Sequence, residues 1–61
     1  MPIVQIDLLE GRSIEQKRAL VKKVTDAISE TANCPVNAVT IILREMPKEN
    51  LSNGGKLRSD I

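Results

Sequence analysis

The sequence predicts an α/β fold in which two parallel β-strands are joined by one long helix and followed by a short C-terminal hairpin. Residues 2–9 alternate between an apolar face and a mixed face, as a strand does. Residues 14–32 repeat their apolar positions at helical spacing. Residues 38–45 return to strand character after a connection long enough to join parallel strands. The length of 61 residues predicts a single domain, 1–61.

The two predicted strands set the shape of the core. In residues 2–9, Val4, Ile6 and Leu8 share one face, which is uniformly apolar. Residues 38–45 form an almost continuous apolar run, which predicts a strand buried on both faces. One helix covers only one face of a two-stranded sheet. Because the apolar run predicts burial on both faces, we expect the face away from the helix to be apolar too, and another subunit to cover it.

The helix between the strands has a clear start signal. Ser13 is its predicted N-cap, and Gln16 three residues later completes a capping box. Pro35 ends it, because proline cannot continue a helix. The charged residues on its outer side indicate a solvated face. Its apolar stripe comprises Leu20, Val21, Val24, Ala27 and Ile28.

The end of the chain predicts a hairpin. Residues 51–57 contain Asn53-Gly54, and Asn-Gly is the strongest short hairpin signal. A hairpin this short has no core of its own, so we expect it to lie across a neighbouring chain.

Composition excludes several classes of function. The net charge is +1 and aromatic residues are absent, which argues against nucleic-acid or membrane partners. The chain has no histidine and one cysteine, Cys34, so we expect neither a metal site nor an internal disulfide. A chain this short needs stabilisation beyond its own core, from disulfides, a metal or partner subunits. Of these, partner subunits remain. We expect an obligate homo-oligomer in the cytoplasm.

Pro2 is the main candidate for chemistry. If Met1 is removed, the nitrogen of Pro2 becomes a free secondary amine held in a ring. An α-amino group has a pKa near ~8, and burial or a nearby cation lowers it toward neutrality. Such an amine can remove and return a proton at pH 7. Many chains begin with Met-Pro and use the proline for nothing, so the dipeptide alone is a weak signal.

The motif around Pro2 resembles a known family. The run Pro2–Ile6, followed by Leu9–Ser13 with Leu-Glu-Gly-Arg-Ser, is similar to the opening of 4-oxalocrotonate tautomerase. Glu45-Met46 and Gly54-Gly55 resemble its later landmarks. The resemblance implies the tautomerase fold, assembled as a homohexamer from three dimers, with no cofactor and no metal. It implies a small enol or keto acid as the substrate.

The resemblance also implies roles for particular residues. Pro2 would be the general base that moves a proton between the enol oxygen of 2-hydroxymuconate and a distant carbon. Arg12 would bind a substrate carboxylate in a neighbour's site, for which a planar guanidinium is well suited. Leu9, Thr40 and Leu51 fall at substrate-binding positions.

Two of these positions depart from the family pattern. Thr40 stands where the family carries a second arginine, and a hydroxyl cannot stabilise a developing enolate as a cation can. Leu51 replaces an aromatic residue and keeps the apolarity but not the shape. Arg44 lies about 13 Å along the strand from Thr40, too far to replace that arginine within one subunit. We expect Arg44 to be a surface or interface residue.

Three functions stay open at this point. The first is a tautomerase acting on 2-hydroxymuconate or another enol or 2-keto acid. The second keeps Pro2 but hydrates or dehalogenates an unsaturated acid, and no residue that would activate water is evident. The third is a non-catalytic or partner-dependent subunit of a hetero-oligomeric tautomerase, in which another chain supplies the missing arginine.

Overall fold

The computed structural model describes all residues 1–61 and confirms the predicted β-α-β unit with a C-terminal hairpin. Short 3-10 turns at Val36–Ala38, Lys48–Asn50 and Arg58–Asp60 connect or end the main elements. The elements in chain order are strand β1 (Ile3–Leu9), helix α1 (Ile14–Ala32) and strands β2 (Thr40–Met46), β3 (Ser52–Asn53) and β4 (Lys56–Leu57).

Strands β1 and β2 pair in parallel, in a register that runs from Ile3 opposite Thr40 to Leu9 opposite Met46. One further hydrogen bond closes each end of this sheet. At the amino end, the Thr40 N–H donates to the carbonyl of Pro2 over 3.0 Å. At the carboxyl end, the Glu10 N–H donates to the carbonyl of Met46 over 2.9 Å. The residues flanking β1 are therefore tied to β2 on both sides.

The predicted capping box at the start of α1 is confirmed. The Ser13 hydroxyl accepts from the Gln16 N–H over 3.1 Å, and the Gln16 side chain accepts from the Ser13 N–H over 2.8 Å. At the other end Asn33 adopts the left-handed conformation with φ 56°, and its N–H donates to the carbonyl of Ser29. Asparagine tolerates this conformation better than most residues, which fits the end of a helix. No helix in the structure has both the length and the apolarity needed to cross a membrane.

The second strand starts later than the sequence predicted. Residues 38 and 39 precede β2 and are not part of it, because Pro35 begins a 3-10 turn over Val36–Ala38 instead of an extended segment. Strand β2 then runs one residue beyond the predicted end, to Met46.

The two faces of the sheet differ, and the expectation that both are apolar was wrong. The face toward α1 carries the half-buried side chains of Val4, Ile6, Leu8, Ile41 and Leu43. The opposite face, here called the open face, carries two isoleucines and four polar residues: Ile3, Gln5, Asp7, Thr40, Ile42 and Arg44. Strand alternation places Thr40, Ile42 and Arg44 together, so the apolar run in the sequence divides between the faces. Ala27 of the predicted helix stripe is also exposed.

The hairpin forms as predicted, but its turn lies one residue further on. Asn53 pairs with Lys56, so the two turn residues are Gly54 and Gly55. Their φ angles are 59° and 85°. A two-residue hairpin turn of this kind needs positive φ at both positions, which glycine adopts without steric cost.

The isolated chain is extended and has no fully buried residue. Its radius of gyration is 14.6 Å, against about 10.5 Å for a compact domain of this length. Its accessible surface is 4748 Å², against about 3,900 Å² for a compact monomer of this mass. Ile3 remains 60% exposed on the open face. A single copy therefore leaves apolar surface in water that a stable small domain would bury.

Candidate active site

Pro2 lies at the amino end of the sheet, next to the first residue of β2. Its carbonyl is fixed by the Thr40 N–H, and its side chain is half-buried. Met1 is 92% exposed, so the residue in front of Pro2 is open to solvent. The backbone thus holds the proline ring at a defined place on the sheet edge while the side preceding it stays accessible.

Thr40 is the polar side chain at this end of the sheet. It is exposed on the open face, opposite Ile3 in the strand register. Because α1 runs antiparallel to the strands it joins, its carboxyl end lies toward the same edge. The last turn of α1 carries no basic residue. The helix therefore contributes the negative end of its dipole here and no cation.

Arg12 lies at the opposite end of the sheet, in the loop between β1 and α1. Its Nη1 donates to the carbonyl of Leu9 over 3.2 Å, and its side chain is exposed. Gly11 beside it has φ 122°, in the region that favours glycine. This hydrogen bond brings Leu9 and Arg12 together, and the guanidinium keeps donors free for a ligand.

The predicted site consists of two pairs of residues, Pro2 with Thr40 and Leu9 with Arg12, and these pairs are far apart within one chain. Leu9 is seven positions after Pro2 along an extended strand, which places the two residues about 23 Å apart. No enclosed pocket is present on the single chain. The structure brings Pro2 together with Thr40, and Arg12 together with Leu9, but it does not bring these two pairs together in one subunit.

Neither the Leu51 nor the Arg44 side chain forms a hydrogen bond or ion pair with Pro2, Thr40, Leu9 or Arg12. Leu51 is half-buried at the base of the hairpin, where its carbonyl accepts from the Arg58 N–H over 2.8 Å. Arg44 contacts its neighbours on the open face: its Nη1 donates to Gln5 Oε1 over 3.2 Å and lies 4.0 Å from Asp7 Oδ1. The Arg44 side chain is 52% exposed, as expected for a surface or interface residue.

One pair of charged residues near Arg12 was not found from the sequence. Lys17 Nζ of α1 forms an ion pair with Glu45 Oε1 of β2, and the two side chains are 26% and 32% exposed. The residues are 28 positions apart, so no local pattern links them. The pairing could have been found only by combining the parallel strand register with the predicted helix start.

The fold defines a class of small β-α-β proteins, and the sequence identifies the family within it. The chain belongs to the tautomerase family, whose sequence profile, described as "Tautomerase enzyme", matches residues 2–61. The prediction that the chain is a tautomerase, an isomerase that interconverts keto and enol forms, is confirmed at the level of the family. No three side chains of His, Cys, Asp or Glu lie together as metal ligands would.

Individual relatives cover almost the whole chain. A probable tautomerase of Lactiplantibacillus plantarum is 53% identical over 98% of this chain and 94% of its own length. A 2-hydroxymuconate tautomerase of Pseudomonas putida is 46% identical over 100% of this chain and 97% of its own length. The solved structure of a heterohexameric 4-oxalocrotonate tautomerase from Chloroflexus aurantiacus J-10-fl matches with a TM-score of 0.94. It is 31% identical and covers 100% of this chain and 98% of that one.

Proposed function

We propose that this chain catalyses the ketonisation of 2-hydroxymuconate, or of a similar enol of a 2-keto acid, with Pro2 as the general base after removal of Met1. The observation that carries the proposal is the fixed position of Pro2, tied through its carbonyl to the Thr40 N–H at the sheet edge. The relative from Pseudomonas putida, named for the same reaction, supports the choice of substrate.

The reaction is a proton transfer within one molecule. The unprotonated nitrogen of Pro2 accepts the proton of the enol hydroxyl, and the enol oxygen becomes the ketone. The electron pair moves along the conjugated system to a distant carbon, which takes the proton back from the nitrogen. A base whose pKa lies near the working pH serves both steps. The amine itself supplies this chemistry, so the proposal needs neither a cofactor nor a metal.

The working site in this proposal is shared between subunits. Arg12 is hydrogen-bonded to Leu9, which lies about 23 Å from Pro2 of its own chain, so Arg12 binds a substrate carboxylate beside Pro2 of a neighbour. The exposed apolar surface and the extended shape of the single chain support assembly. We propose a homohexamer, since the relative from Chloroflexus aurantiacus J-10-fl is a hexamer, although a heterohexamer.

The pocket in this proposal is completed by the remaining predicted positions. Leu9 lies beside Arg12, Thr40 lies beside Pro2, and Leu51 lines the pocket from the base of the hairpin. The cytoplasm is the proposed compartment, where the free thiol of Cys34 stays reduced.

The experiment is a ketonisation assay on protein shown by mass spectrometry to begin at Pro2. Loss of the enol absorbance is followed with and without protein at equal buffer composition. A rate above that of buffer supports the proposal. A rate equal to that of buffer removes 2-hydroxymuconate as the substrate.

A second function is favoured by one specific observation, the uncharged amino end of the sheet. Thr40 offers a hydroxyl there, and the last turn of α1 offers no cation. In a partner-dependent subunit, a different chain would supply the arginine that polarises the substrate. That function predicts background activity for this chain alone and a gain when the partner is added.

Replacing Thr40 with arginine tests the importance of this missing charge. We expect Thr40→Arg to raise kcat/KM on 2-hydroxymuconate by about tenfold, because a cation beside Pro2 stabilises charge that develops on the substrate oxygen. Thr40→Gln, which also lengthens the side chain but stays neutral, is the control and should give no such gain. Equal kcat/KM in the wild type and in Thr40→Arg would contradict a role for charge at this position.

A further inference from the structure

The loop that carries Arg12 is held at both of its ends by neighbouring residues of β2. At its start, the Glu10 N–H donates to the Met46 carbonyl over 2.9 Å. At its end, the Lys17 side chain reaches Glu45, the residue before Met46. Arg12 lies between these two attachments. Gly11 in the same loop would otherwise give the backbone wide conformational freedom.

Lys17 connects the loop to the sheet through two separate contacts. Its backbone N–H donates over 3.1 Å to the carbonyl of Ser13, the residue directly after Arg12. Its ammonium group pairs with the Glu45 carboxylate on the face of the sheet that α1 covers. The pair therefore fixes the start of α1, and with it the end of the Arg12 loop, relative to β2.

The other ion pairs of α1 are not comparable. Arg18 and Glu15 are 67% and 76% exposed, and Lys22 and Asp26 are 76% and 48% exposed. Both of those pairs join residues of the same helix, so neither links the helix to the sheet. Lys17 and Glu45 are more shielded from solvent, and screening by water weakens their attraction less.

We infer that the Lys17–Glu45 ion pair positions Arg12 for carboxylate binding, so that Glu45 and Lys17 influence substrate affinity without touching the substrate. The inference rests on the proposed role of Arg12. Hydrogen bonds between a guanidinium and a carboxylate need a defined geometry, so a loop that moves by a fraction of an ångström binds the acid less tightly.

The test compares Glu45→Gln with the wild type in the ketonisation assay. Glutamine has nearly the same shape but no charge. We expect KM for 2-hydroxymuconate to rise about fivefold while kcat changes by less than about twofold, because binding is lost and the base at Pro2 is untouched. Lys17→Gln should give the same result from the other side of the pair. Asp26→Asn, which removes an exposed pair of α1, is the matched control and should leave both constants unchanged.

A double-variant experiment separates positioning of Arg12 from a general loss of structure. In an Arg12→Ala background, Glu45→Gln should add no further rise in KM, since there is no arginine left to position. The exchanged pair Lys17→Glu with Glu45→Lys should recover a lower KM than either single variant. An equal rise in KM with and without Arg12 would overturn the inference.

The outcomes also distinguish this inference from the proposed function. If Arg12→Ala raises KM and Glu45→Gln does not, the inference fails and the role of Arg12 stands. If Arg12→Ala leaves KM unchanged, the proposed role of Arg12 fails and the inference fails with it.

Discussion

Replacing Pro2 with alanine should lower kcat for 2-hydroxymuconate ketonisation by about 10²-fold, the lower end of the usual contribution of a general base. Alanine keeps a terminal amine, so the loss is not complete. It removes the ring that directs the nitrogen and changes a secondary amine into a primary one. Because the backbone tie between Pro2 and Thr40 uses the carbonyl, the variant keeps this hydrogen bond and should keep its fold.

The matched control leaves every side chain in place. The wild-type sequence carrying an uncleaved N-terminal extension has an amide at Pro2, and an amide nitrogen is not a base. The extended protein should lose at least as much activity as Pro2→Ala, while its circular dichroism and its number of subunits stay those of the wild type. Full activity in the extended protein would show that another group transfers the proton.

Replacing Arg12 with alanine should raise KM for a dicarboxylate by about 10- to 150-fold and lower kcat much less. A hydrogen bond to a charged group contributes about 1.5–3 kcal/mol, which corresponds to this range of affinity. The Arg12 side chain is exposed and hydrogen-bonded only to the Leu9 carbonyl, so its removal should cost little stability. Steady-state kinetics on the purified variant give both constants.

A conservative variant makes this result specific to the guanidinium. Arg12→Lys keeps the charge but loses the planar pair of donors, so its KM should lie between those of the wild type and Arg12→Ala. If Arg12→Ala bound the dicarboxylate as tightly as the wild type, the assignment of Arg12 to carboxylate binding would be wrong.

Most of the fold could be predicted because its signals are local. The capping box at Ser13 and Gln16 indicated the helix start, the first strand followed from alternation, and the second followed from its apolar run. The structural details that differ from the predictions depend on contacts between residues that are distant in the sequence. The hairpin turn moved to Gly54-Gly55 because Asn53 pairs across to Lys56. The open face proved mixed because the register, which groups Arg44 with Gln5 and Asp7, is a property of two strands together.

The candidate site was less predictable, for a physical reason. Its residues come from both ends of one sheet, and only the strand length shows that Pro2 and Arg12 cannot meet within a chain. The contact between Lys17 and Glu45 depends on where α1 packs over β2, which hydrophobic spacing alone does not determine. A residue that positions another residue, as proposed for Lys17 and Glu45, belongs to no sequence motif by which it could be recognised.

Mixing two variants of low activity tests the shared site most directly. Pro2→Ala and Arg12→Ala are unfolded together in equal amounts, refolded, and assayed at a substrate concentration well below KM. A site that takes Pro2 from one subunit and Arg12 from its neighbour is intact in about a quarter of random pairings, so the mixture should recover about a quarter of the wild-type rate. Activity no greater than the mean of the two separate variants would contradict a site built from two subunits.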